Sequence, residues 1–217
     1  MKPIALLGGT FDPVHYGHLG LARAAFAQLD LQRLTLLPAG NPYQKGRLPF
    51  ASAAHRASML TLAFQPDSRV LVDERELRRA GATYTFDTLV ELRAEVGEEA
   101  SLVWLIGSDA FSRFDSWHRW RELFGLAHFA VIDRSTHRFA TAACSSELLT
   151  EVQRRSAGVP VTHSAPGGSV VFLGSPPPPV SSSEIRAGVA RGESIRGLTP
   201  DAVCDYIEQH KLYLSRE

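Results

Sequence analysis

Cysteine is scarce. The only two, Cys144 and Cys204, stand far apart in 217 residues. They cannot build a disulfide framework, and both read as free thiols in a reducing compartment. Charge of one sign is also missing, with 23 Lys and Arg against 23 Asp and Glu. Binders of nucleic-acid polymers carry a basic excess because they must neutralise phosphates. That class is disfavoured, whereas a small anionic ligand needs only a local cluster. No apolar run approaches the ~20 residues of a membrane span. The opening apolar run, Ile4 to Leu7, is too short for a signal peptide. The expected setting is therefore the cytoplasm, with no membrane partner.

What is present is ordinary for a globular chain: 44% hydrophobic and 21% charged residues. A chain of this length buries roughly 70% of its unfolded surface and needs no staple to hold a core. Length argues for one domain over 1–217, with a C-terminal helical part from about 183 to 217. Nothing in it reports an oligomeric state.

Apolar runs at Ile4–Leu7, Leu34–Leu37, Arg69–Val72, Leu102–Ile106, Phe129–Ile132 and Val170–Leu173 read as strands. Helical spacing marks 19–29, 53–64, 88–96, 117–124 and 145–155, then two closing helices near 183–191 and 200–210. Segments 39–50 and 159–168 read as loops, and Pro176–Pro179 as a stiff extended tract. Strand and helix alternate from residue 4 to 132. This alternation predicts an α/β protein: a Rossmann-like doubly wound parallel sheet with C-terminal helices. In such a sheet the ligand crevice lies at the carboxyl ends of the strands. Gly8-Gly9, Pro38-Ala39-Gly40 and Gly107-Ser108-Asp109 all fall at such ends.

The first of these loops reads Gly8-Gly9-Thr10-Phe11-Asp12-Pro13-Val14-His15-Tyr16-Gly17-His18. It leads into a helix whose first N–H groups and partial positive charge suit an anion. A dinucleotide-binding G-x-G-x-x-G is absent. His15 and His18 share one side of the first turn, but no third ligand stands nearby to complete a zinc site. A lone histidine is more often structural, so the pair gains its weight from the loop around it.

This loop resembles the first motif of the nucleotidyltransferase superfamily, which transfers AMP or CMP between phosphates. Val180-Ser181-Ser182-Ser183-Glu184-Ile185-Arg186 is similar to that superfamily's second motif, Ile-Ser-Ser-Thr-x-Ile-Arg, with Ser183 keeping the hydroxyl of the Thr. Taken without the superfamily, the serines are a helix cap and Arg186 a surface charge. Thr83-Tyr84-Thr85-Phe86-Asp87-Thr88-Leu89, Ile106-Gly107-Ser108-Asp109 with Trp117, and the ending Tyr206 to Tyr213 resemble the bacterial nicotinate mononucleotide adenylyltransferases. The likeness covers nearly the whole chain and is weak over 134–172.

The resemblance implies an ATP-dependent enzyme of NAD biosynthesis, with ATP, its Mg²⁺ and nicotinate mononucleotide as partners. It implies that His15, His18, Lys45 and Arg186 carry the reaction. ATP would meet Gly8, Gly9, Thr10, Phe11, His18, Gly107, Asp109, Ser182, Ser183, Ile185 and Arg186. The mononucleotide would meet Asp12, Lys45, Tyr84, Thr85, Trp117 and Arg134. No side chain is expected to hold a metal of its own. Lys45 and Arg47 compete for the loop cation, and Trp117 and Trp120 for the stacking surface. Asp109 suits the ATP ribose, the metal or a plain helix cap. The alternatives are a nicotinamide or dual-specificity enzyme, a phosphopantetheine adenylyltransferase, and a nucleotide sensor without turnover.

Overall fold

The computed structural model describes residues 2–42, 48–65, 67–132, 144–174 and 178–214. Strands β1 (Ile4–Gly9), β2 (Arg33–Pro38), β3 (Val70–Val72), β4 (Leu102–Gly107), β5 (His128–Ile132) and β6 (Val170–Leu173) form one sheet in the order β3-β2-β1-β4-β5-β6. Every pairing is parallel. The chain thus starts at the centre, winds to one edge, returns and winds to the other, the order of a doubly wound sheet.

Parallel strands covered on both faces must be apolar on both. Ala5, Leu7, Leu34, Leu36, Val103 and Leu105 face one core. Ile4, Leu6, Leu37, Leu102, Trp104 and Ile106 face the other. Helices α1 (Tyr16–Leu29), α2 (Ala53–Phe64), α4 (Thr85–Val96) and α7 (Ser146–Arg155) connect or cover the strands. Ser52 caps α2 and Ser145 caps α7, each accepting a main-chain N–H three residues on. The chain closes with α8 (Ser182–Ala190) and α9 (Asp201–Gln209).

Some elements differ from the sequence reading. Two four-residue helices, α3 (Arg75–Arg78) and α5 (Ser108–Phe111), were not expected; one turn is too short to show a period. Of the helix expected over 117–124 only α6 (Trp120–Leu123) forms, and a 3₁₀ turn, Phe114–Ser116, precedes it. Arg119 separates them in the left-handed region at φ 55°, which no continuous helix allows. The segment read as a loop from 159 holds a 3₁₀ turn, Val159–His163. Helix α4 begins at Thr85 rather than Thr88.

Candidate active site

Registers Gly9↔Pro38 and Ile4↔Leu102 align the carboxyl ends of β1, β2 and β4. The loops after them meet over one cleft with two lobes. One lobe, about 410 Å³, is lined by Asp12, His15, Ser182, Ser183, Arg186 and Phe50, among others. The other, about 390 Å³, is lined by Gly8, Gly9, Thr85, Gly107, Asp109 and Trp117, among others. Thr10, His18 and Pro42 line both lobes, so the two are continuous.

His15 is the N-cap of α1 and is 3% exposed, while His18 is half-buried one turn into the helix. Their ring centroids lie 3.8 Å apart. The His15 main-chain N–H donates to Nδ1 of His18 at 3.2 Å. An accepting Nδ1 leaves the proton of the neutral ring on Nε2, so His18 offers a donor N–H. The glycines here answer to packing as well as to ligand approach. A Cβ at Gly8 would sit 2.4 Å from the Trp104 ring, and one at Gly17 would sit 2.8 Å from the His15 ring.

The serine run of the second motif divides its labour. Ser181 is the cap, accepting the Glu184 N–H. Ser182 donates to the carbonyl of Pro13 at 2.9 Å. Ser183 accepts from one arm of Arg186 at 3.1 Å, and the other arm donates to the Asp12 carbonyl at 2.5 Å. The guanidinium also lies 4.4 Å from the Phe50 ring centroid. These contacts fix Arg186 on the wall of the polar lobe.

Asp12 is turned inward. Phe11, in the left-handed region at φ 49°, bends the loop. The Asp12 carboxylate then accepts the N–H groups of Phe50 and Ala51 and the hydroxyl of Tyr213, at 2.7, 3.1 and 2.8 Å. A carboxylate with three internal donors braces the site from within the polar lobe that it lines. Burial and this neighbouring charge push the Tyr213 phenol far above its ordinary value, so it stays a donor.

In the second lobe Thr85 opens α4, Trp117 is half-buried, and Asp109 is exposed in α5. Trp117 meets Trp104 edge-on with centroids 6.4 Å apart. Trp120 is 8% exposed in the core and does not line the cleft, whereas Trp117 lines it beside Trp104. Phe11, Tyr84 and Ile185 do not line the cleft: Phe11 and Ile185 are buried in the core, and Tyr84 packs on His118. Lys45, Arg47 and Arg134 lie outside the described residues. The sequence reading missed Arg56, Phe50, Thr83, Glu76, Arg113 and Tyr213. Of these, only Thr83 and Tyr213 stood in a quoted motif. Burial raises the Glu76 carboxyl above its ordinary value, and Thr88 donates to it at 2.7 Å.

The 3-2-1-4-5-6 parallel sheet places the glycine loop, the histidine pair and the facing arginine at its switch point, where α/β sheets of this kind bind their ligands. A cytidylyltransferase-like family model matches residues 6–188. A probable nicotinate-nucleotide adenylyltransferase of Chromobacterium violaceum is 44% identical over 97% of this chain and 98% of its own. A protein of the same name from Laribacter hongkongensis is 45% identical over 98% of this chain and 94% of its own. The Plasmodium falciparum nicotinic acid mononucleotide adenylyltransferase complexed with NaAD shares the fold, at TM-score 0.72 and 20% identity over 98% of both chains. The chain belongs to the cytidylyltransferase-like family, in its nicotinate-nucleotide adenylyltransferase branch.

Proposed function

We propose that the chain transfers AMP from ATP to nicotinate mononucleotide, releasing pyrophosphate and forming nicotinate adenine dinucleotide. The observation that carries this reading is one cleft with two chemically different ends. His18 and Arg186 line the polar lobe, and Thr85 and Trp117 line the lobe built on aromatic and apolar walls.

The mononucleotide phosphate attacks the α-phosphorus of ATP in line. Nothing covalent is asked of the protein, so its work is positioning and charge stabilisation. Gly8, Gly9 and Thr10 present the loop, His15 orders the helix start, and the Nε2–H of His18 meets the charge that develops on phosphate. Arg186, held by Ser183, receives the leaving pyrophosphate through its planar fork. The resemblance assigns the loop cation to Lys45 or Arg47 and a mononucleotide-phosphate contact to Arg134. Asp109 and Gly107 face the nucleotide, with Asp109 on ribose. Trp117 stacks on the pyridine ring for roughly 1–3 kcal/mol, by analogy with nucleobase stacking. Thr85 donates to the nicotinate carboxylate.

Mg²⁺ bound with ATP would supply positive charge to offset that of the phosphates. The described residues gather no set of three His, Cys, Asp or Glu suited to a metal, and the Asp12 carboxylate is already occupied by its own chain. That donor set fits an ion held by the nucleotide. The chain works as one domain over 1–217, in the cytoplasm; among the described residues no helix is long and apolar enough to cross a membrane. Incubation with ATP, Mg²⁺ and nicotinate mononucleotide should give dinucleotide and pyrophosphate in equal amounts. Absence of the dinucleotide refutes the reading.

A further inference from the structure

We propose that Arg56 is a positioning residue for the transfer, fixing the two strand-end loops that form the cleft. This rests on the AMP-transfer reading above.

Arg56 sits in the first turns of α2 and is 2% exposed. A guanidinium this buried is costly to desolvate, and burial lowers its proton affinity. Such a group persists where its donors are used. One arm donates to the carbonyls of Thr10 at 2.9 Å and Ala39 at 2.6 Å, and the other reaches the Gly40 carbonyl at 3.5 Å. None of the three acceptors is a carboxylate. All three lie just past the ends of β1 and β2, where the strand ladder no longer pairs them.

The same two loops are tied from other sides. The Ala39 N–H donates to the Gly9 carbonyl at 2.8 Å. Gly40 packs so closely on α3 that a Cβ would sit 2.2 Å from the Glu76 carbonyl oxygen. The Gly40 turn is therefore clamped between Arg56 and α3, with no room to shift. Thr10 lines both lobes of the cleft, and Ala39 lines the lobe that holds Trp117. Arg56 lines neither; it stands behind the loops. Its guanidinium thus fixes the spacing of the two strand-end loops. It also draws main-chain carbonyl oxygens onto itself, where they cannot repel incoming phosphate oxygens.

A lysine cannot serve here. Its single ammonium lacks the planar fork that spans separated acceptors. Loops displaced by a fraction of an ångström still bind both substrates but align them poorly, and misalignment of about 1 Å can cost about 10²-fold in rate. The effect therefore falls on kcat more than on KM.

The test compares Arg56→Lys and Arg56→Ala with the unmutated chain in steady-state AMP transfer. Rates are normalised to the folded fraction found by urea titration. We expect kcat per folded molecule to fall about 10- to 100-fold in Arg56→Lys, with KM for ATP and the mononucleotide changed less than about threefold. Guanidinium ion added to Arg56→Ala should raise kcat saturably and leave the unmutated chain unaffected. If Arg56→Ala does not fold, the lysine variant decides alone. A kcat per folded Arg56→Lys molecule within twofold of the unmutated value overturns the proposal and leaves Arg56 a purely structural residue. A folded Arg56→Ala that guanidinium does not raise also overturns it. If the unmutated chain makes no dinucleotide, the AMP-transfer reading falls first and this proposal falls with it.

Discussion

Tyr213 donates its hydroxyl to Oδ1 of Asp12 at 2.8 Å, tying the C-terminal turn to the glycine loop at the opposite end of the chain. The acceptor is a buried carboxylate that also receives the Phe50 and Ala51 N–H groups. Hydrogen bonds to charged groups contribute roughly 1.5–3 kcal/mol. Tyr213→Phe should lose about that much in urea unfolding, with the m-value unchanged. A loss below about 0.5 kcal/mol, the size of an ordinary surface substitution, would make the contact incidental.

His18→Ala should remove most turnover and leave the fold intact. The half-buried ring lines both lobes of the cleft, and one lost transition-state donor costs about 2.7–4 kcal/mol, or 10²–10³ in kcat. Near-normal turnover at an unchanged melting temperature would take His18 out of the mechanism.

Arg186→Lys keeps the charge and loses the fork. The contacts to the Asp12 carbonyl and to Ser183 cannot both survive on one ammonium. We expect kcat/KM for ATP to drop about tenfold or more, because a bidentate clamp becomes a point contact. Unchanged constants for ATP would return Arg186 to the solvated surface.

Stability should fall on acidification through His128. The ring is 0% exposed, its Nε2 lies 2.9 Å from the Ala165 carbonyl, and its Nδ1 accepts the Ser169 N–H at 3.2 Å. Burial holds its pKa below the ordinary value of 6.5. Above that value both folded and unfolded chains carry a neutral ring, and the residue adds no pH dependence. Below it the unfolded chain takes up a proton that the folded chain refuses. Unfolding free energy then drops by up to about 1.4 kcal/mol per pH unit until the folded ring also titrates. Urea titrations of the unmutated chain and His128→Asn at pH 7.5 and pH 5.5 check this. The variant should be less stable at both values and lose less between them; equal losses would remove His128 from the acid response.

The central strands were legible because buried parallel strands are short continuous apolar runs ended by Gly or Pro, as at Gly8-Gly9 and Pro38. The glycine-histidine loop was legible because its chemistry is local: the loop, the N-cap and His18 lie within one stretch. Arg56 was not. Its acceptors belong to two other loops, and nothing near it marks it as other than a helix-surface charge. The serine run was ambiguous for a related reason, since any of the three can cap a helix. Only the start of α8 at Ser182 makes Ser181 the cap and frees Ser183 to hold Arg186. The resemblance assigns Asp12 to the substrate, and its bracing role was not legible. The donors that turn it inward come from Phe50, Ala51 and Tyr213, far along the chain.

Discrimination between acid and amide tests the account most directly. Thr85 and Trp117 line one lobe, and the reading gives the carboxylate to the first and the ring to the second. A charge-assisted hydrogen bond contributes roughly 1.5–3 kcal/mol, and a buried donor left unpaired costs about 1–3 more. The measurement is kcat/KM for nicotinate mononucleotide against nicotinamide mononucleotide, at saturating ATP and Mg²⁺. We expect the acid to be preferred by about 10²–10⁴, the factor those energies imply. Thr85→Ala should narrow the gap, and Trp117→Ala should weaken both substrates alike. Comparable values for the two mononucleotides in the unmutated chain would contradict the assignment.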